Sequence, residues 1–219
     1  MLVVGFAGRA GSGKNEAANI AAKAFRRRGY LVVQMAFADA VKDIYKVIFN
    51  EDPYTNDRVL KEQTIIPGSA HKTMRRILQI IGTEFGREMI DPHIWINIVA
   101  QRIVGIQAAQ AKKKQPRPIA VFITDVRESN EALFVTKTMN GLLIDMLRNE
   151  PKQRWWNKLF HRYHRSEAVE YRKDKRIRRI TVDNEGDLAT LKESMEFVVN
   201  QIFSAMRKGR YNAKQRTTD

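Results

Sequence analysis

Gly8-Arg9-Ala10-Gly11-Ser12-Gly13-Lys14 follows an apolar run, Leu2-Val3-Val4-Gly5-Phe6-Ala7. It precedes an alanine-rich segment, Asn15 to Arg28, that places Ala17, Ala18, Ala21, Ala22 and Phe25 at helical spacing. Strand, glycine loop, lysine and helix, in that order, turn a Gly-x-x-x-x-Gly-Lys pattern into a phosphate-binding loop. Glycines let backbone N–H groups converge on phosphate oxygens, and the next helix aims its positive end at the same anion. Gly11, Ser12, Gly13 and Lys14 are therefore the candidate triphosphate ligands. The Ser/Thr that usually follows the lysine and holds Mg²⁺ is replaced by Asn15. An amide oxygen ligates a hard cation weakly, and Glu16 is a second oxygen donor beside it.

Outward from the loop, the chain reads as alternating strands and helices. Gly29 stops the first helix, and Leu31 to Phe37 is a short apolar strand with Ala38-Asp39 at its carboxyl end. Open parallel sheets bind ligands beyond those ends, so Asp39 is either a ligand-side carboxylate, the N-cap of a helix Ala40 to Phe49, or both. Asn50 to Gly68 is polar and loop-like. Lys72 to Ile90 is helical, with Met74, Ile77, Leu78 and Ile81 on one face and Arg75, Arg76 and Gln79 largely away from it. Asp91-Pro92 restarts a helix carrying Trp95, Ile98, Val99 and Ile103. Ile119 to Ile123 is a buried-type strand ending in Asp125 and Arg127, where an enzyme of this kind keeps a magnesium or substrate carboxylate. Asn130 to Met139 is a helix and Gly141 to Leu147 a strand. Arg179 to Asp183 is a last strand, and Asp187 caps a final helix to about Met206. The whole predicts a doubly wound parallel α/β sheet of about five strands with helices on both faces.

Composition narrows the class. With 219 residues and 43% hydrophobic content the chain suits one globular domain, and no run is apolar enough to span a membrane. There is no cysteine, which excludes disulfides and thiolate metal sites, and no secretory pattern opens the chain; both fit a cytoplasmic protein. The net charge of +15 favours polyanionic partners, nucleotides or nucleic acid. Much of it lies in Arg148 to Arg179, where Trp155, Trp156, Phe160, Tyr163 and Tyr171 are interleaved with the cations. That segment reads as a lid closing on phosphates, as a nucleic-acid patch, or as a solvated basic helix.

Several local patterns then occur in one order. They are Gly8 to Lys14, Phe37-Ala38-Asp39-Ala40-Val41-Lys42, Leu78 to Arg87, Trp95, Asp125-Val126-Arg127-Glu128-Ser129-Asn130-Glu131-Ala132, His164-Arg165-Ser166-Glu167 and Ile180 to Leu188. Together they resemble the deoxynucleoside monophosphate kinases of tailed bacteriophages, to about Leu191. The resemblance implies a nucleoside monophosphate kinase fold as one domain over residues 1–206. Substrate-binding helices would occupy about 40–110 and a basic lid about 148–178, with 207–219 a polar tail. It implies transfer of the γ-phosphoryl of ATP, with Mg²⁺, to a deoxynucleoside monophosphate, by a homodimer in the infected host's cytoplasm.

It also implies roles. Lys14, Arg75, Arg76, Asp125 and Arg127 would be catalytic. Gly11, Ser12, Gly13, Lys14, Asn15 and Glu16 would hold ATP, and Asn15 and Asp125 the metal, directly or through water. Asp39, Arg75, Arg76, Gln79, Gly82, Thr83, Trp95, Asp125, Arg127 and Glu131 would bind the acceptor, Trp95 either stacking on the base or filling the core. Arg172 or Arg176 would serve as the lid arginine. The chain departs from the family at Asn15-Glu16, where Asp-Thr is common, at Ala40 for proline, and at Glu128-Ser129 for Phe-Pro. Two other readings remain: a different small-molecule kinase, of the dephospho-coenzyme A or phosphomevalonate kind, and a P-loop protein that binds nucleic acid through its basic segment.

Overall fold

The computed structural model describes residues 1–55, 58–148 and 170–209. The readings on His161, His164, the interleaved aromatics Trp155 to Tyr163 and the tail after Gly209 lie outside the described residues. The chain divides into two compact units, Met1–Gln34 with Gln115–Asp219, and Met35–Lys114.

The first unit is built on a five-stranded parallel sheet in the order β2-β3-β1-β4-β5. The strands are β1 (Leu2–Ala7), β2 (Leu31–Met35), β3 (Ile119–Val126), β4 (Leu142–Leu147) and β5 (Arg179–Asp183). Central β1 pairs with β3 through Val3 and Val121 and with β4 through Ala7 and Asp145. Every residue of β1 is buried, as an apolar strand covered on both faces must be. On one face lie α1 (Lys14–Arg27) and α7 (Leu188–Arg207). Phe6, Phe25, Phe122, Met146, Met195 and Val199 pack between them and the sheet. Ala17, Ala18, Ala21 and Ala22 are buried in the same layer and let α1 lie close to the strands. A larger side chain there would cost about 1–3 kcal/mol by overpacking. On the other face, Val135 from the helix Ser129–Thr138 comes close to Gly5 between Leu143 and Val126. That helix begins as α6 (Ser129–Leu133) and widens over Phe134–Thr138.

The second unit is helical: α2 (Asp39–Phe49), α3 (Arg58–Glu62), α4 (Met74–Gln79) and α5 (Ile94–Ala111). Thr73 caps α4 by accepting from the Arg76 N–H. Beyond Gln79 the helix continues to Ile90 with the wider π pitch, as in the Asp91 N–H that donates to Gly86 O, five residues back. The core of this unit is Val41, Tyr45, Met74, Ile77, Ile81, Trp95, Val99 and Ile103.

The elements fall close to the sequence reading, with local corrections. The polar stretch Asn50 to Gly68 holds α3 rather than being all loop. β3 runs on through Val126, so Asp125 sits within the strand end and not after it. Asp39 is not the N-cap of α2, which is Ala38; Asp39 is the first helical residue, and its carboxylate accepts the Ala36 N–H at 2.7 Å.

Candidate functional site

The phosphate loop leaves the carboxyl end of β1. Gly8 turns there with φ 131°, and a Cβ on it would run into the Met146 carbonyl and the Ser12 hydroxyl. Gly13 takes φ 89° with the Asn184 amide pressed against its Cα, which leaves no room for a side chain. The same Asn184 Nδ2 donates to Ser12 O at 3.0 Å, so a residue beyond β5 clamps the loop from behind. Asn184, read from sequence only as a turn residue, is buried. Gly13 is also the N-cap of α1, with no side chain bonded across that helix start. Its first N–H groups are therefore left for a ligand.

Lys14 folds back over the loop. Its ammonium donates to Gly8 O at 2.9 Å and to Arg9 O at 2.6 Å. Burial, then the Arg127 guanidinium, lowers its pKa to about 8, against the opposing pull of Asp125 and Asp145. The Ser12 hydroxyl is 3% exposed and has no hydrogen-bond partner among the described residues. A buried ammonium short of negative charge, an orphaned hydroxyl and an uncapped helix start all fit a phosphate chain. Asn15 and Glu16 are exposed on the first turn of α1, and Asp125 is half-buried near enough to act on Lys14. No cluster of three acidic or histidine ligands occurs among the described residues. Magnesium at such sites takes one or two protein oxygens and completes its shell with phosphate and water, so Asn15 and Asp125 are a sufficient donor set.

Beside the loop is a group the sequence reading did not anticipate. Asp145 of β4 is 1% exposed. It accepts from Tyr171 Oη at 2.8 Å and from Arg172 Nε and Nη2 at 2.8 and 2.7 Å. Arg179 Nε lies 3.5 Å away. Burial, followed by this carboxylate, pushes the Tyr171 phenol above its ordinary value. Arg172, one of two residues proposed for a lid role, is thus held by a buried carboxylate. Arg176, the other, is exposed and paired with Asp174 at 2.7 Å.

At the end of β3, Glu131 turns inward. Its Oε2 accepts the Arg127 and Glu128 N–H groups at 2.8 and 3.1 Å, closing a capping box with Glu128. Glu131 is buried, so its carboxylate serves the backbone and shapes the turn that carries Arg127.

In the second unit, Arg75 pairs with Glu62 at 2.7 Å and Arg76 with Glu84 at 2.5 Å, all four side chains partly exposed. Gln79 and Thr83 are half-buried. Trp95 is 2% exposed and takes the core alternative rather than the stacking one. Its Nε1 donates to Gly82 O at 2.7 Å, and a Cβ on Gly86 would lie inside its ring. Trp95 thus fixes the widened helix from within.

Sheet order, glycine loop and inward lysine define an α/β domain of the phosphate-binding-loop type. Over 108 residues the chain is 32% identical to a "Deoxynucleoside-5'-monophosphate kinase" of Escherichia phage T5. The match takes in 47% of this chain and 39% of that protein, so the chain spans about two fifths of the length of this curated relative. No protein-family model matches. Among solved structures, a gluconokinase from Sinorhizobium meliloti 1021 aligns over 93% of this chain and 96% of its own, at 14% identity and a TM-score of 0.38. A shikimate kinase from Bacteroides thetaiotaomicron aligns over 92% and 98%, at 9% identity and a TM-score of 0.34. At those scores the likeness is too loose to bear on activity.

Proposed function

We propose that the chain is a phosphotransferase that moves the γ-phosphoryl of ATP to a deoxynucleoside monophosphate, giving the diphosphate. One observation carries the donor half: Lys14, buried and folded over a glycine loop whose Ser12 hydroxyl and helix start are unpaired by side chains. The acceptor half rests on the likeness to the phage enzyme and on two adjacent guanidiniums at the start of one helix.

In this reading Gly11, Ser12, Gly13 and Lys14 hold the β- and γ-phosphates through N–H groups and one mobile charge. Asn15 and Asp125 hold Mg²⁺, which when bound neutralises phosphate charge. Arg75 and Arg76 grip the acceptor phosphate with a forked geometry that an ammonium lacks. Arg127 sets a fixed cation beside Lys14. Asp39, Gln79, Gly82 and Thr83 line the nucleoside. Phosphoryl transfer needs little covalent help and much positioning and charge neutralisation, which these groups supply. Lys14, Arg75 and Arg76 leave their present partners for phosphate when substrates bind. The resemblance also leads us to a homodimer, which light scattering of the purified chain would show.

The test is ADP formation with Mg-ATP and each deoxynucleoside monophosphate in turn, beside Lys14→Ala. Turnover with at least one acceptor, lost in the variant, supports the reading. ATP binding without turnover on any acceptor would overturn it.

A further inference from the structure

The face of the first unit farthest from the phosphate loop has a chemistry of its own. α1 and α7 run side by side in the same direction: Gly13 lies near Leu191 at one end, and Phe25 packs on Phe203 at the other, ring centroids 4.7 Å apart. Charge is sorted along both. On α1, Glu16 stands in the first turn and Arg26, Arg27 and Arg28 at the far end. On α7, Glu193 and Glu196 fall in the first half and Arg207 and Lys208 at the end. Helix C-termini favour cations, and that accounts for a basic residue in each last turn. It does not account for three consecutive arginines beside a second basic terminus, nor for what lies between them.

Between the helices there is a groove of about 370 Å³ lined by Ala24, Arg27, Arg28, Glu196, Val199 and Asn200. Its apolar lining is Ala24 and Val199. Arg28 is fixed at its wall: Nη2 donates to Asn200 Oδ1 at 2.7 Å, Nη1 to Ala24 O at 3.1 Å, and the guanidinium sits 4.6 Å over the Phe203 ring. Arg26, Arg27, Arg207 and Lys208 are exposed around it. The fourteen residues of α1 put this group roughly 20 Å from the loop.

We propose that this basic end of α1 and α7 is a nucleic-acid interface, contacting the phosphate backbone without reading sequence. The cations are mostly arginines, whose planar fork matches a phosphodiester better than an ammonium does. They border a groove rather than a flat surface, as a strand backbone requires. Membrane-surface binding needs a large apolar face to bury among lipid headgroups. This groove instead carries a carboxylate and an amide, groups that suit sugar hydroxyls and base edges. The interface is independent of the kinase reading.

The test is fluorescence anisotropy of the full chain with a fluorescein-labelled 30-base-pair duplex across salt concentrations. The comparison is with Arg26→Gln/Arg27→Gln/Arg207→Gln/Lys208→Gln, which leaves the packed Arg28 in place. Removing four phosphate contacts should make the slope of log affinity against log salt shallower by about 3 to 4 and weaken binding at least tenfold at low salt. Thermal melting and ADP formation by the variant should match the parent. Should the quadruple variant fail to fold, Glu196→Lys decides, since it adds a cation to the groove and should tighten and steepen binding. An unchanged slope would place the affinity elsewhere, in Arg148 to Arg179, and overturn the proposal. So would binding to phosphatidylserine vesicles without binding to DNA, or no DNA affinity at all.

Discussion

In the phosphate loop, the groups turned toward an anion are backbone N–H groups and one lysine, held by two glycine conformations and a buried amide. In α4 they are two guanidiniums on an ordinary helix, each resting on a partly exposed glutamate. The first arrangement is rigid before any ligand arrives. The second is a pair of weak surface ion pairs, worth about 0–1 kcal/mol each, that a dianion can displace. Preorganisation is thus concentrated where phosphoryl charge must be stabilised, and exchangeable contacts where an acceptor must come and go.

Substitutions grade that contrast. Lys14→Ala should have the largest effect, a loss of roughly 10²–10³ in turnover, the scale for one preorganised electrostatic group. Steady-state ADP formation measures it; a loss confined to KM would mean the lysine is not tied to the transferring phosphoryl. Gly86→Ala drives a methyl into the Trp95 ring and should cost about 1–3 kcal/mol of stability in a denaturant melt. An unchanged midpoint would show that the widened helix yields easily, which would blur the contrast between rigid and soft regions. Asn184→Ala removes the clamp behind Ser12 and leaves a buried carbonyl unmatched, for about 1–3 kcal/mol. Its sharper signature is weaker ATP binding by calorimetry with acceptor affinity unaltered.

The pH response tests the loop alone. Lys14 titrates at about 8 in the unliganded chain because burial favours its neutral form. Bound phosphate would favour the cation and raise that value, so binding above pH 8 must take up a proton. ATP affinity should be level below about pH 8 and fall by up to tenfold per pH unit above it. Calorimetry between pH 7 and 9.5 reads this directly; a flat profile would remove Lys14 from the phosphates. Least of all, Glu62→Gln and Glu84→Gln should change stability by under about 1 kcal/mol. They should lower KM for the acceptor by a small factor, since Arg75 and Arg76 no longer have to leave a carboxylate. A raised KM would mean these glutamates position the arginines.

What was legible in the sequence follows the range of the interactions. The loop, α1 and the Asp187 cap are written within a few residues, and Asp187 does accept the Thr190 N–H at 2.9 Å. The strands announce themselves by unbroken apolar runs because both faces are covered. Asn184 and Ser12 lie 172 positions apart, and Asp145 meets Tyr171 across 26. No local pattern joins such pairs; only the sheet order does. Glu131 had the right spacing for a capping box with Glu128, but the strand-end acid pattern drew the eye to substrate instead. Trp95 could not be placed from sequence, because an indole suits a core and a stacking face equally well.

The widened helix from Ile80 to Ile90 has a consequence for how the chain tolerates length changes. A π stretch carries surplus residues relative to α pitch. Deleting one would restore the cheaper geometry locally, yet rotate everything after it by about 100° around the axis. Gly86 would then turn away from the indole and Gly82 O from its donor. For this segment, a shortened sequence that makes a better isolated helix would make a worse protein.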